Sequence, residues 1–199
     1  MNEHSLDTSE QEVNRNQKKP GFWSEIFKFT LITLLIVVPF RLYVAQPFIV
    51  SGASMDPTFH DGDYLIVDQI SKRFETPKLD EVIIFKYPKD PSKYFIKRVI
   101  GTPGDTVEIK KGVVTVTSKE FPEGKTLNEP YIADQNQVSD NFKITLKEGE
   151  FFVLGDNRKG SLDSRSWGPV TTDLIVGRPL VRLLPLPSLG VLPGNFSND

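Results

Sequence analysis

The sequence predicts a mainly β fold: an antiparallel β-sheet or barrel domain with a small inserted β-subdomain, preceded by one N-terminal transmembrane helix. Three observations predict it. Short runs of β-branched and aromatic residues recur from Tyr64 onward, turn-forming residues separate them, and one apolar stretch precedes them all. The pattern of runs and turns carries no helical crossovers, which favours antiparallel pairing over βαβ units.

Residues 1–21 are polar and mixed in charge, with Lys18 and Lys19 ahead of Pro20, and predict a disordered tail. Residues 22–45 are the candidate anchor. An unbroken apolar or hydroxyl-bearing run extends from Phe29 to Phe40 and stops at Arg41. A spanning helix needs about 20 mostly apolar residues. The helix must therefore start near Trp23 and continue to about Val44. Glu25 and Lys28 then fall at one interface, Arg41 snorkels to the other, and Trp23 and Tyr43 stand where interfacial aromatics do. Arg15, Lys18, Lys19 and Lys28 favour a cytoplasmic N-terminus. Two other readings stand beside this one. A cleaved signal peptide is opposed by the late start of the run and by the bulky Tyr43 of Tyr43-Val44-Ala45, where a small residue is wanted. A buried helix of a globular domain remains open.

Beyond Gln46 the chain reads as strands: Tyr64–Val67, Val82–Tyr87, Tyr94–Ile100, Thr106–Ile109, Val113–Thr117, Glu150–Leu154 and Asp173–Val181. Asp61-Gly62-Asp63, Lys111-Gly112, Glu123-Gly124 and Gly155-Asp156-Asn157 punctuate them. Residues 46–117 and 150–185 are assigned to the β core. The more polar 118–149 is assigned to an inserted ribbon or subdomain, and 186–199 to a C-terminal tail. The stretch Leu183-Leu184-Pro185-Leu186-Pro187 is apolar but too short and proline-rich to span a bilayer.

Composition removes several function classes. With 199 residues the chain can bury a core without staples. A net charge of -2 gives no footprint for nucleic acid. There are no cysteines, and the only histidines are His4 and His60, so no thiolate or multi-histidine metal site is expected. Gly101-Thr102-Pro103-Gly104 lacks the spacing of a phosphate loop. No cofactor or metal is called for.

Three places can carry chemistry. Ser54 lies in Ser51-Gly52-Ala53-Ser54-Met55-Asp56-Pro57-Thr58, where small residues let a backbone approach and Pro57 stiffens the turn. A serine attacks only when a neighbour takes its proton. Lys97 lies in the strand-like run Tyr94–Ile100. There Phe95, Lys97 and Val99 share one face, and Ile96, Arg98 and Ile100 the other. A buried lysine can be that neighbour, because desolvation favours its neutral amine. The plainer readings are a turn serine and an edge strand with both cations solvated. The third place is Gly155–Gly168, polar and dense in Asp, Asn, Arg and Ser. It suits either a solvated loop or a hydrogen-bond network that positions something.

Taken in order, these segments resemble the bacterial type I signal peptidases, membrane-anchored Ser/Lys proteases. The resemblance rests on the N-terminal anchor, Ser51–Thr58, Gly62-Asp63-Tyr64-Leu65-Ile66-Val67, Lys97–Asp105 and Gly155–Gly168, and covers most of residues 22–185. It implies that Ser54 is the nucleophile and Lys97 the general base. It implies that Ser161 bonds and orients the Lys97 amine, with Asp163 and Arg165 a supporting ion pair. The Ser54 N–H would form part of the oxyanion hole. Gly52 stands where some members add a serine hydroxyl, so that donor is absent. Phe48, Val50, Met55 and Ile96 match positions lining shallow pockets for small side chains, and the substrate would lie along Pro47–Val50. The partners implied are secretory precursors and membrane lipid. The location implied is a bacterial plasma membrane, crossed once, with the catalytic domain outside the cytoplasm.

Rival readings differ by what they lack or need. Self-cleaving repressor domains share the Ser/Lys pairing but carry a DNA-binding domain and no anchor. Penicillin-binding proteins need Ser-x-x-Lys, which does not occur in this chain. A Ser/His enzyme would need His60 as base. A tethered β-domain that binds peptide without cutting it is the alternative outside the enzymes.

Overall fold

The structure is a computed structural model that describes residues 21–43 and 45–196. The tail expected over residues 1–21 lies outside the described residues, apart from Gly21. Helix α1 (Phe22–Tyr43) occupies the candidate anchor. Its apolar side chains from Phe29 to Val38 are exposed. Among the described residues, no helix is long and apolar enough to cross a membrane. Glu25 and Lys28, in the first two turns of α1, interrupt its apolar surface.

The second unit, from Pro39 onward, is built from antiparallel strands. They are β1 (Ala45–Ile49), β2 (Tyr64–Asp68), β3 (Val82–Tyr87), β4 (Asp90–Gly101), β5 (Thr106–Lys110) and β6 (Val113–Thr117). They continue with β7 (Lys125–Thr126), β8 (Asn141–Thr145), β9 (Glu150–Leu154), β10 (Val170–Thr171), β11 (Ile175–Leu184) and β12 (Gly190–Val191), with the short helix α2 (Ser164–Trp167) between β9 and β10. The larger sheet runs β1-β2-β11-β3-β4-β9-β10, with β12 paired to β11. The smaller runs β7-β6-β5-β8. Strand β2 alternates buried and half-buried residues, as one covered face requires.

Strand β4 sets the architecture. Its first residues are exposed and its last five, Lys97–Gly101, are buried. Val99 packs with Ile83, Phe85, Phe151 and Val153, and Phe95 lies against that cluster. Ile96 lies against Val50, Met55, Leu65 and Ile84. Ile100 joins Phe152 and Leu154 to Val107, Ile109, Val114 and Val116 of the smaller sheet. Both faces of β4 are thus covered at this end. For this reason neither cation of Lys97-Arg98 reaches solvent, although strand alternation alone required only one to turn inward; Lys97 is 3% and Arg98 0% exposed.

Several sequence-based boundaries shift. β5 and β6, assigned to the core, pair instead with β7 and β8 of the 118–149 segment in the smaller sheet. A hairpin's alternation does not say which sheet it joins. The strand expected from Asp173 starts at Ile175, after a 3-10 turn over Thr172–Leu174. The C-terminal segment is not a loose tail as far as Phe196. β12 extends the larger sheet, and the Gly194 carbonyl accepts a hydrogen bond from Arg98 Nη1 at 2.6 Å.

Candidate active site

The loop between β1 and β2 carries Ser54. Val50 N–H donates to the Asp63 carbonyl and Gly62 N–H to the Val50 carbonyl, each at 2.9 Å, closing its base. Gly52 takes φ +87°, in the left-handed region that favours glycine. Its N–H donates to Asp61 Oδ1 at 2.8 Å. Met55 and Phe59, at 1% and 0% exposure, anchor the far side in the core.

Strand β4 brings Lys97 to this loop. Its Nζ lies 2.7 Å from Ser54 Oγ and 2.8 Å from the Ile96 carbonyl, both neutral oxygens. The Phe95 ring lies 5.4 Å from the amine. Burial pushes the Lys97 pKa down to about 8, against the opposing pull of the Asp163 and Asp156 carboxylates. The hydroxyl and the amine are therefore within proton-transfer distance, and the amine is neutral in a substantial fraction of molecules near pH 8.

The segment after β9 closes the back of the site. Asn157 N–H donates to the Ser54 carbonyl at 3.1 Å, and Asn157 Nδ2 to the Ala53 carbonyl at 3.0 Å. Asp163 caps α2 and pairs with Arg165 through Oδ1 at 2.8 Å and Oδ2 at 2.7 Å, so the expected ion pair is present. Asp163 Oδ2 also accepts from Gly155 N–H at 3.2 Å, tying the start of the segment to its middle. A Cβ at Gly155 would collide with Ser161 Oγ and the Ser54 carbonyl, so glycine permits this close approach.

Two expected roles need correction. Ser161 sits beside the nucleophile loop, but its buried Oγ has no hydrogen-bond partner among the described residues and does not bond Lys97. The amine instead spends its contacts on Ser54 Oγ and the Ile96 carbonyl. Met55 does not line the cleft, because it is buried in the core with Phe59 and Val67. Phe48, Val50 and Ile96 do line it, in a cleft of about 550 Å³ that Ser54, Tyr94 and Lys97 also line. β1 and β4 are not neighbours in the sheet, yet the Phe48 and Tyr94 rings meet edge to face at 5.3 Å. The sheet curls, and the cleft lies between those strands. His60 Nε2 pairs with Asp56 Oδ1 at 3.1 Å while the Ser54 hydroxyl is bonded to Lys97.

The network offered for Gly155–Gly168 extends beneath the site to partners that the sequence reading did not name. Arg98 grips Asp156 through Nε at 2.9 Å and Nη2 at 2.6 Å, and its guanidinium lies 3.9 Å from the Tyr131 ring centre. Thr58 Oγ1 donates to the same carboxylate at 2.5 Å, linking the nucleophile loop to Arg98. The available signal was a second cation in an apolar strand, which requires a buried anion as partner.

A serine hydroxyl held by a buried amine beside an open cleft is the arrangement of a Ser/Lys hydrolase. The comparisons carry this further. The family model described as signal peptidase, peptidase S26 matches residues 23–184, and the chain belongs to that family. It is similar to a probable signal peptidase I-2 of Synechocystis sp., at 34% identity over 95% of this chain and 87% of that protein. It is similar also to a signal peptidase I of Bacillus amyloliquefaciens, at 33% identity over 89% and 92%. A solved signal peptidase I from Enterococcus faecalis V583 overlaps 52% of this chain and 97% of that one at 29% identity, with a TM-score of 0.44. The chain is a serine endopeptidase of this family.

Proposed function

We propose that the protein removes N-terminal signal peptides from exported precursors, with Ser54 as nucleophile and Lys97 as general base. The observation that carries the residue assignment is the 2.7 Å contact between Ser54 Oγ and the buried Lys97 amine. Neutral Lys97 takes the hydroxyl proton as Oγ attacks the scissile carbonyl. The resulting ammonium protonates the leaving amine as the peptide bond breaks. Lys97 then activates water, which hydrolyses the ester on Ser54 and restores both groups. The Ser54 N–H faces the developing oxyanion in this reading, without a hydroxyl from position 52.

The precursor lies extended beside β1, in the cleft walled by Phe48, Val50 and Ile96. Those walls leave room for alanine-sized side chains and exclude large ones by contact. Asp163 and Arg165 support the loop behind Ser54, with Ser161 packed against it. In this reading residues 22–45 serve together as a single membrane anchor with a cytoplasmic N-terminus, the described side chains of the helix covering only the part up to Val38, and the catalytic domain then lies on the extracytoplasmic side of a bacterial plasma membrane. The exposed apolar side chains between Phe29 and Val38 support that role.

The test is cleavage of a secretory precursor in detergent by the parent, Ser54→Ala and Lys97→Met proteins. Cleavage after a small residue by the parent alone, with both variants folded, is the expected result. Equal cleavage by Lys97→Met would remove Lys97 as base and turn attention to His60. A parent that binds precursor but never cuts it would favour a tethered binding domain.

A further inference from the structure

We infer that Asn136 is a positioning residue for this reaction: it ties the loop carrying Ser54 to the segment carrying Ser161 and Asp163, and so holds Ser54 at the Lys97 amine. The inference rests on the reading of Ser54 and Lys97 as the reacting pair. Asn136 ends a single 3-10 turn, Asp134–Asn136, in the stretch joining β7 to β8. It is 7% exposed, though every residue around it from Ala133 to Val138 is less buried. Its Nδ2 donates to the Asp56 carbonyl at 3.1 Å. Its own carbonyl accepts from Lys159 N–H at 3.1 Å. Asp56 is two residues beyond Ser54, and Lys159 two residues before Ser161. One buried residue therefore bridges both loops of the site from behind, its side chain holding the Asp56 loop and its backbone carbonyl the Lys159 segment.

The ends of the stretch are pinned to the same segment. Glu129 pairs with Arg158, with Nη1 at 3.3 Å from Oε2. Asp140 pairs with Arg165. Between these pins Asn136 has little freedom to retreat. Its chemistry suits the place, because the Asp56 carbonyl needs a donor, and an amide supplies one without burying a charge. Aspartate would keep the shape but set a carboxylate oxygen against that carbonyl. A small displacement of a nucleophile from its base lowers rate far more than binding, since substrate is held by the cleft walls.

The full-length protein, with a secretory precursor as probe, tests this through kcat, KM and their pH dependence in Asn136→Asp and Asn136→Ala. The expected result is a fall in kcat of about tenfold, the order of one lost buried hydrogen bond, with KM held within about twofold. The acid limb of the rate profile should also rise in both variants. A loosened loop admits water to Lys97, and desolvation is what lowers its pKa. The charged groups facing that amine, Asp163 and Asp156, are unchanged in both. A shift in Asn136→Ala, which adds no charge, separates loosening from the new carboxylate. A merely structural role predicts something else: kcat lowered by one factor at every pH, in step with a reduced folded fraction, and an unmoved limb. That result, or parent-like kcat in both variants, overturns the inference. If Asn136→Asp does not fold, Asn136→Ala alone decides by the same criteria. Retained cleavage by Ser54→Ala would instead overturn the reading of the reacting pair.

Discussion

Lys97→Met should abolish cleavage and yet stabilise the fold at neutral pH. Burial lowers the Lys97 pKa from 10.5 to about 8. The unfolded chain therefore holds a proton more tightly than the native one. The sign follows: stability rises with pH across that window, and the protonated amine weakens the fold below it. The shift corresponds to about 3 kcal/mol. Methionine removes the titrating group while keeping most of the stem's apolar contact. It also strands Ser54 Oγ and the Ile96 carbonyl, which lose their bonds to Nζ at about 1 kcal/mol each. The net gain at pH 7 is then about 1 kcal/mol, a rise in melting temperature of roughly 2–4 °C. The assay is urea unfolding of parent and variant at several pH values between about 7 and 10. The parent should gain stability toward high pH, and the variant should lack that component. Lys72, whose pKa burial also lowers, contributes equally to both proteins and cancels in the difference. Parallel stability curves for the two proteins would refute the argument, because Lys97 would then titrate alike folded and unfolded.

Two further outcomes follow from the site's surroundings. Asp156→Ala should destabilise by about 3 kcal/mol or more, since it leaves the fully buried Arg98 without its anion; a urea midpoint close to the parent's would contradict this. Phe48→Ala should open the cleft where Phe48 meets Tyr94 and raise the kcat/KM of precursors with larger side chains near the cleavage point relative to alanine-bearing ones; an unchanged ratio would show that Phe48 does not set the pocket.

Much of this was legible in the chain. Strands such as Val82–Tyr87 and Glu150–Leu154 were readable because β-branched and aromatic residues meet turn residues at both ends. Ser54 and Lys97 stood out because each is odd in its own segment, a serine among small turn residues and a lysine among apolar ones. The joint burial of Lys97 and Arg98 was not legible. Alternation speaks for one sheet face, and here a second layer covers the other. Nor was the contribution of the stretch before β8. Its ties run to backbone atoms of Asp56 and Lys159, and a backbone carbonyl or N–H leaves no mark on the sequence. The Ser161 expectation came from the family resemblance. In detail the amine bonds Ser54 Oγ and the Ile96 carbonyl, a neighbour in the lysine's own strand, and leaves the Ser161 Oγ without a partner among the described residues. Gly194 illustrates the same limit: it lies in the stretch assigned to a C-terminal tail, yet its backbone packs so close to Phe59 and Val82 that a Cβ would press on both.

The central claim is that a neutral, desolvated Lys97 activates Ser54. The most direct measurement is the pH dependence of kcat/KM for one secretory precursor, which reports ionisations of the free enzyme. The account predicts a rate that climbs with pH through a single ionisation near 8, as the Lys97 amine loses its proton. A limb near pH 6.5, the ordinary histidine range, would contradict it and point to His60.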